Sequence, residues 1–187
     1  QGHMLLSQAL VAVAVVLLRR AGEPDGERHR VVTPVTSRLT WVLAALTGVA
    51  IVAGTVVTGA GPHAGDEDVQ RFGVDIADAA RVHGTTVLIA IALAVGLALH
   101  LQRRPEERAV LQTAVSSWIF VGLLQAAIGY VQYFNDVPEL LVGLHVAGAT
   151  ALWSMTVWLV LSTSSCVSPV TSAGRAASDG LVPSRST

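Results

Sequence analysis

Five stretches of this chain contain no Asp, Glu, Lys or Arg: residues 1–18, 39–65, 82–102, 109–135 and 140–174. A helix that crosses the hydrocarbon layer needs about 20 consecutive, mainly apolar residues. Four of the stretches exceed that length, and the first opens in mid-run as a helix whose beginning is missing would. In lipid, backbone groups must be paired within a helix or a closed barrel, and nothing here alternates like a barrel strand. The chain is therefore predicted to be an all-α integral membrane protein with five transmembrane helices. Composition agrees: 13% of its residues are charged, against about 25% in a soluble domain.

The charges between the stretches sort by sign. Segment 19–38 holds Arg19, Arg20, Arg28, Arg30 and Arg38 against three acids, and 103–108 holds Arg103, Arg104 and Arg108 against two. Segment 66–81 has Asp66, Glu67, Asp68, Asp75 and Asp78 against Arg71 and Arg81, and 135–139 has only Asp136 and Glu139. Basic loops face the cytoplasm. The expected location is thus the cell (plasma) membrane, multi-pass, with the first, third and C-terminal connections cytoplasmic. Beyond these juxtamembrane arginines there is no basic stripe, and a net charge of −1 gives nucleic acid no electrostatic footprint. The lipid bilayer is the expected surrounding partner.

Helices are expected from about Met4 to Leu18, Leu39 to Thr58, Ala79 to Leu101, Ala109 to Phe134 and Pro138 to Leu161. Trp41 reads as an interfacial anchor, and Pro138 suits a first helical turn. Residues 1–20 form the first span, 21–37 a cytoplasmic linker, 38–163 a four-helix transmembrane bundle, and 164–187 a disordered cytoplasmic tail rich in Ser, Thr, Gly and Pro. Part of the outer loop from Gly59 to Asp78 is a candidate surface helix. Four antiparallel spans forming two hairpins, one with a long outer link and one with a very short one, make a bundle whose interior is the usual place for a cofactor. Gly122, Ala126, Gly129, Gly143, Ala147, Ala149 and Ala151 would let helices approach closely.

Polar groups inside a membrane are rare and usually functional. His83 lies two residues into its charge-free run and His145 six into its own, and the charge pattern puts both at the outer side. Two imidazoles at similar depth on different helices of one bundle can clamp one heme iron; a proton relay or a plain interhelical hydrogen bond would use the same pair. His29, His63 and His100 fall in loops or at a helix end. Gln125, Gln132 and Tyr133 are the remaining intramembrane polar groups, suited to bonding heme propionates or one another. The sequence has no HExxH, no CxxC and no carboxylate cluster within the spans, so no other metal signature competes. Cys166 is the single cysteine and cannot form an internal disulfide.

Three segments carry a resemblance: GTVVTGAGPHAGD (Gly54 to Asp66), RVHGTT (Arg81 to Thr86) and VQYFNDVPELLVGLHVAGA (Val131 to Ala149). In order and spacing they resemble the C-terminal half of bacterial heme A synthase, a family of two similar four-helix halves. The resemblance runs almost to Leu161. It implies that His83 and His145 are the axial ligands of a bis-His heme b, with iron as the metal held through the heme. It also implies that the parent enzyme oxidises the C8 methyl of heme O to the formyl group of heme A for cytochrome oxidase assembly. The first helix, from His3 to Arg20, resembles the last helix of the N-terminal half, and His3 then matches a ligand of the truncated catalytic heme site. Gln1 to Met4 also matches the remnant of a cleaved affinity tag.

Departures from the family pattern bear on activity. The catalytic half carries a glutamate three residues before its first histidine, where this chain has Ala80 before His83, and the outer loop from Gly59 to Asp78 lacks the cysteine pair of some members. The resemblance therefore implies the heme b-binding half of an oxidoreductase of heme A biosynthesis, with no catalytic residue in this portion and no activity by itself. Heme O synthase and an electron donor are the partners it suggests; homo-oligomerisation stays open. Two other readings remain: a small bis-His b-type membrane cytochrome for electron transfer, and a cofactor-free membrane scaffold.

Overall fold

The computed structural model describes residues 2–61 and 73–167. Within them lie five helices long and apolar enough to cross a membrane: α1 (Gly2–Ala21), α2 (Pro34–Ala60), α3 (Ile76–Gln102), α4 (Pro105–Phe134) and α5 (Glu139–Leu161). Most begin before their charge-free runs because polar caps lie outside the apolar segment. The Thr33 hydroxyl accepts the Thr36 N–H at 3.4 Å, with Pro34 in the first turn, where a missing N–H costs nothing. Asp75 accepts from the N–H groups of Ala77 and Asp78 at 2.8 and 3.1 Å, and Pro105 opens α4. Pro138 stands at the cap of α5 rather than inside its first turn. The loop in which a surface helix was a candidate falls mostly on residues 62–72, outside the described residues.

Helices α2 to α5 form a ring in which each packs on the next and α5 closes onto α2, while α1 packs outside on α5. Contacts at both ends show that ring neighbours run antiparallel. Thr36 at the start of α2 meets His100 at the end of α3, and Gly54 late in α2 meets His83 early in α3. Trp118 of α4 donates to Thr156 of α5 at 2.8 Å, while Gly129 meets His145. Helix α1 runs parallel to α5: Gln8 donates to Thr150 at 2.9 Å, and Arg19 stacks 5.0 Å from the Trp158 ring centre.

The connections are tight. Only Arg103 and Arg104 separate α3 from α4. Between α4 and α5 the chain reverses through Asp136 and Val137 at φ 57° and 56°, a left-handed conformation that a β-branched residue rarely adopts. At the opposite end, β1 (Glu27–Arg30) pairs antiparallel with β2 (Ser164–Val167), with Arg28 opposite Cys166. The first residues of the segment expected as a disordered tail are thus a strand, because the 21–37 linker supplies a backbone edge for it; residues beyond 167 are outside the described set. Glu23 sits beside this ribbon, accepting from Arg19 at 2.9 Å and pairing with Arg28. Burial alone would raise its pKa, but the Arg19 hydrogen bond and the Arg28 charge outweigh it and hold the carboxyl below its usual range.

The tight core lies at the arginine-rich end: Leu43, Leu97, Leu101, Leu111, Val115, Trp118 and Leu159 are each at most 2% exposed. Just beyond it, Glu107 of α4 reaches the start of α2, where it accepts the Thr33 N–H at 3.2 Å and the Thr36 hydroxyl. The Thr36 oxygen is also 3.1 Å from His100 Nε2, and Arg104 lies 3.5 Å from the carboxylate. One carboxylate thereby pins three helix ends, and it is placed favourably at the N-terminus of α2. Replacing Glu107 with Ala leaves the half-buried Thr33 N–H without its acceptor and removes the charged acceptor of the Thr36 hydroxyl, so we expect a loss of about 2 kcal/mol. Thermal unfolding in detergent should show it, with Glu106→Ala, an exposed neighbour, close to wild type.

Candidate functional site

The bundle is solid at one end and hollow at the other. Toward the ends of α2 and α4 and the starts of α3 and α5, small residues replace leucine: Ala50, Gly54, Gly122, Ala126, Gly129 and Ala149 line a cavity of about 470 Å³, within the range of cofactor sites. Trp118 and Gly122 lie toward its floor; Arg81, Tyr133 and Val137 line its other end, which we call the mouth. Met4 and Gln8 of α1 contribute one edge. Several small residues expected to bring helices together thus open space between them instead. Gly143 has nothing within 4 Å of where a Cβ would lie.

Both predicted histidines line this cavity, their ring centres 6.2 Å apart and their planes at 81°. Each ring rests on a glycine of the preceding helix. A Cβ at Gly54 would lie 3.1 Å from His83 Cε1, and one at Gly129 would lie 3.3 Å from His145 Cε1. The two contacts are the same device used twice, once per hairpin. His83 Nδ1 is 2.9 Å from the Ala50 carbonyl oxygen, an atom that can only accept. Nδ1 therefore carries the proton, and in the neutral ring Nε2 keeps its lone pair. His145 Nδ1 is buried without a hydrogen-bond partner.

The walls differ in polarity. The threonines that α2 contributes bond back to their own helix: Thr47 to Leu43 O at 2.9 Å, Thr55 to Val52 O at 2.7 Å and Thr58 to Gly54 O at 3.1 Å. On α4, by contrast, the Oε1 atoms of Gln125 and Gln132 are buried without partners, so the two amides do not satisfy one another. Gln125 is 6% exposed, and its carboxamide occupies the space that a side chain on Gly148 would take.

The other singled-out residues lie elsewhere. His3 is exposed in the first turn of α1 and does not line the cavity. His100 bonds Thr36 at the arginine end, and His29 is exposed on β1. Cys166 Sγ is 3.6 Å from a Glu23 carboxylate oxygen. His63 falls outside the described residues. Sequence reasoning did not single out Gly54, Gly148, Gln8 or the Ala50 carbonyl. Gly54 stood at the head of a quoted motif, but a glycine in an apolar run carries no mark of what it faces.

Among the described residues, no group of three or more His, Cys, Asp or Glu is placed to chelate a metal ion, and no carboxylate lines the cavity. Its metal-ligating chemistry is thus two imidazoles. Metal–imidazole bonds of about 2 Å, plus about 1 Å from each nitrogen to its ring centre, place two trans imidazoles roughly 6 Å apart across one ion. The observed separation and the glycine cradles fit that use. Comparison with family models, with curated proteins and with solved structures finds no match to this chain.

The geometry makes Gly148 a sensitive position. A Cβ there would lie 2.6 Å from the Gln125 carboxamide carbon and closer still to its nitrogen. Gly148→Ala should therefore expel Gln125 from its seat and cost about 1–3 kcal/mol, read as a lowered melting temperature in detergent. Gly143→Ala should leave the melting temperature within error.

Proposed function

We propose that the chain binds a b-type heme between His83 and His145 and forms the heme-holding half of a heme A synthase. The observation that carries the reading is the pair of imidazoles that line one cavity with their ring centres 6.2 Å apart, the cavity being closed by apolar packing at one end. His83 and His145 would supply the axial nitrogens. The Ala50 carbonyl holds the proton on His83 Nδ1, which would leave the Nε2 lone pair to hold the iron, the usual role of a carbonyl behind a ligating histidine. Trp118, 1% exposed, and the leucines behind it keep water from entering through the floor. Arg81, Gln132 and Tyr133 at the mouth suit the carboxylate edge of the ligand.

A heme held there by His83 and His145 would supply a one-electron couple suited to electron transfer or support. This agrees with the supporting role implied by the resemblance to the C-terminal half of the heme A synthase family. With the arginine end in the cytoplasm, the site lies toward the outer face of the cell membrane.

Detergent-purified chain titrated with hemin should give a low-spin b-type reduced-minus-oxidised spectrum. His83→Ala and His145→Ala should each weaken binding by more than about a hundredfold, the upper end of what losing a supporting hydrogen bond costs a metal site. Wild type that binds no better than the double variant would overturn the reading.

A further inference from the structure

His83 and His145 differ in what stands behind them. His83 Nδ1 donates to the Ala50 carbonyl oxygen at 2.9 Å. A metal-ligating imidazole nearly always donates its other N–H in this way, and the bond both orients the ring and strengthens its donor nitrogen. His145 Nδ1 is buried and has no such partner. Its ring meets α4 at Gly129, a van der Waals contact that selects no tautomer. Among the described residues, turning the His83 ring breaks a hydrogen bond, while turning the His145 ring gives up packing only.

The helices that carry the rings are anchored unequally as well. Each histidine stands roughly two turns into its helix, but the helix starts differ. Asp75 caps α3 by accepting from the N–H groups of Ala77 and Asp78. Helix α5 starts at Pro138 with no side-chain cap. Just before it, Asp136 and Val137 hold φ at 57° and 56°, a costly backbone for a β-branched residue. Beside α5 the cavity edge is formed by Met4 and Gln8 of α1, and an unbranched methionine adapts its shape to a neighbour that moves. Tautomer, helix start and surroundings thus all make His83 the fixed ring and His145 the yielding one.

We infer, resting on the heme reading above, that His145 is the displaceable ligand of the pair. His83 keeps its hold on the iron, and the position on the α5 side accepts a small neutral molecule of the diatomic-gas class. The exchange is a simple substitution. The bond from the His145 nitrogen breaks, the bond to the incoming molecule forms, the iron keeps its oxidation state, and His145 departs as a neutral imidazole. The site then responds to a dissolved gas as well as carrying an electron.

The test uses the full chain in detergent, loaded with heme b, reduced and exposed to carbon monoxide. Wild type should start low-spin and convert to the carbonyl complex. Flash photolysis of that complex leaves the iron on its remaining histidine, and resonance Raman reads the iron–histidine stretching frequency. Wild type should match His145→Ala, and also His145→Leu, which fills the space with an apolar side chain. His83→Ala should give a lower frequency, because nothing accepts from His145 Nδ1. Without carbon monoxide, His83→Ala should weaken heme binding about tenfold more than His145→Ala, the lower end of what a supporting partner contributes. A low-spin wild type that saturating carbon monoxide leaves unchanged, or a photoproduct that matches His83→Ala, would overturn the inference and leave the heme reading intact. A wild-type chain that gives no low-spin spectrum overturns both.

Discussion

The contact around which the hollow half of the bundle is arranged is an imidazole resting on a glycine, made twice, by His83 on Gly54 and by His145 on Gly129. A methyl group at either glycine would press on its ring, and the ring would have to shift. With no side chain there, each ring can bring its Cε1 close to the neighbouring helix while still lining the cavity. Each pair belongs to one helical hairpin, so the two hairpins present equivalent groups to each other across the middle of the ring. The Ala50 carbonyl then breaks this equivalence by fixing the tautomer of His83 alone.

A hollow end needs a rigid one. Cavities weaken packing because their lining atoms lose contact partners, and in a membrane no hydrophobic effect drives helix against helix to compensate. The arginine end offsets this with a leucine and tryptophan core, the Glu107 network across three helix ends, and the Trp118–Thr156 hydrogen bond. Trp153 adds a wedge, donating to the Gln8 carbonyl at 3.0 Å and lying against Gly48. It thereby fastens α1 to α5 and α5 to α2. The short ribbon of β1 and β2 joins the exits of α1 and α5 at the same end.

Much of the architecture was legible from charge placement alone. The helices appeared where Asp, Glu and Arg were missing, since length and apolarity are all that a spanning helix requires. Their ends were misjudged by a few residues because caps such as Thr33 and Asp75 are polar and lie outside the apolar run. The ribbon at Ser164 was missed for a related reason: its partner strand lies more than 130 residues away, and a four-residue strand has no periodicity of its own. His83 and His145 stood out because polar groups in lipid are rare. Gly54, Gly148 and the Ala50 carbonyl did not, because their importance is a property of what faces them.

The order of residues was sufficient to specify five helices, their alternation across the layer, and two histidines at a similar depth, since each follows from transfer of side chains and backbone between water and lipid. It did not specify which side of each helix meets which neighbour. That depended on closing four helices into a ring, which brought the imidazoles to 6.2 Å and buried the Oε1 atoms of Gln125 and Gln132 on α4 without partners. Helix rotation is decided by the sum of many small packing contacts between segments distant in sequence, and no local pattern encodes that sum.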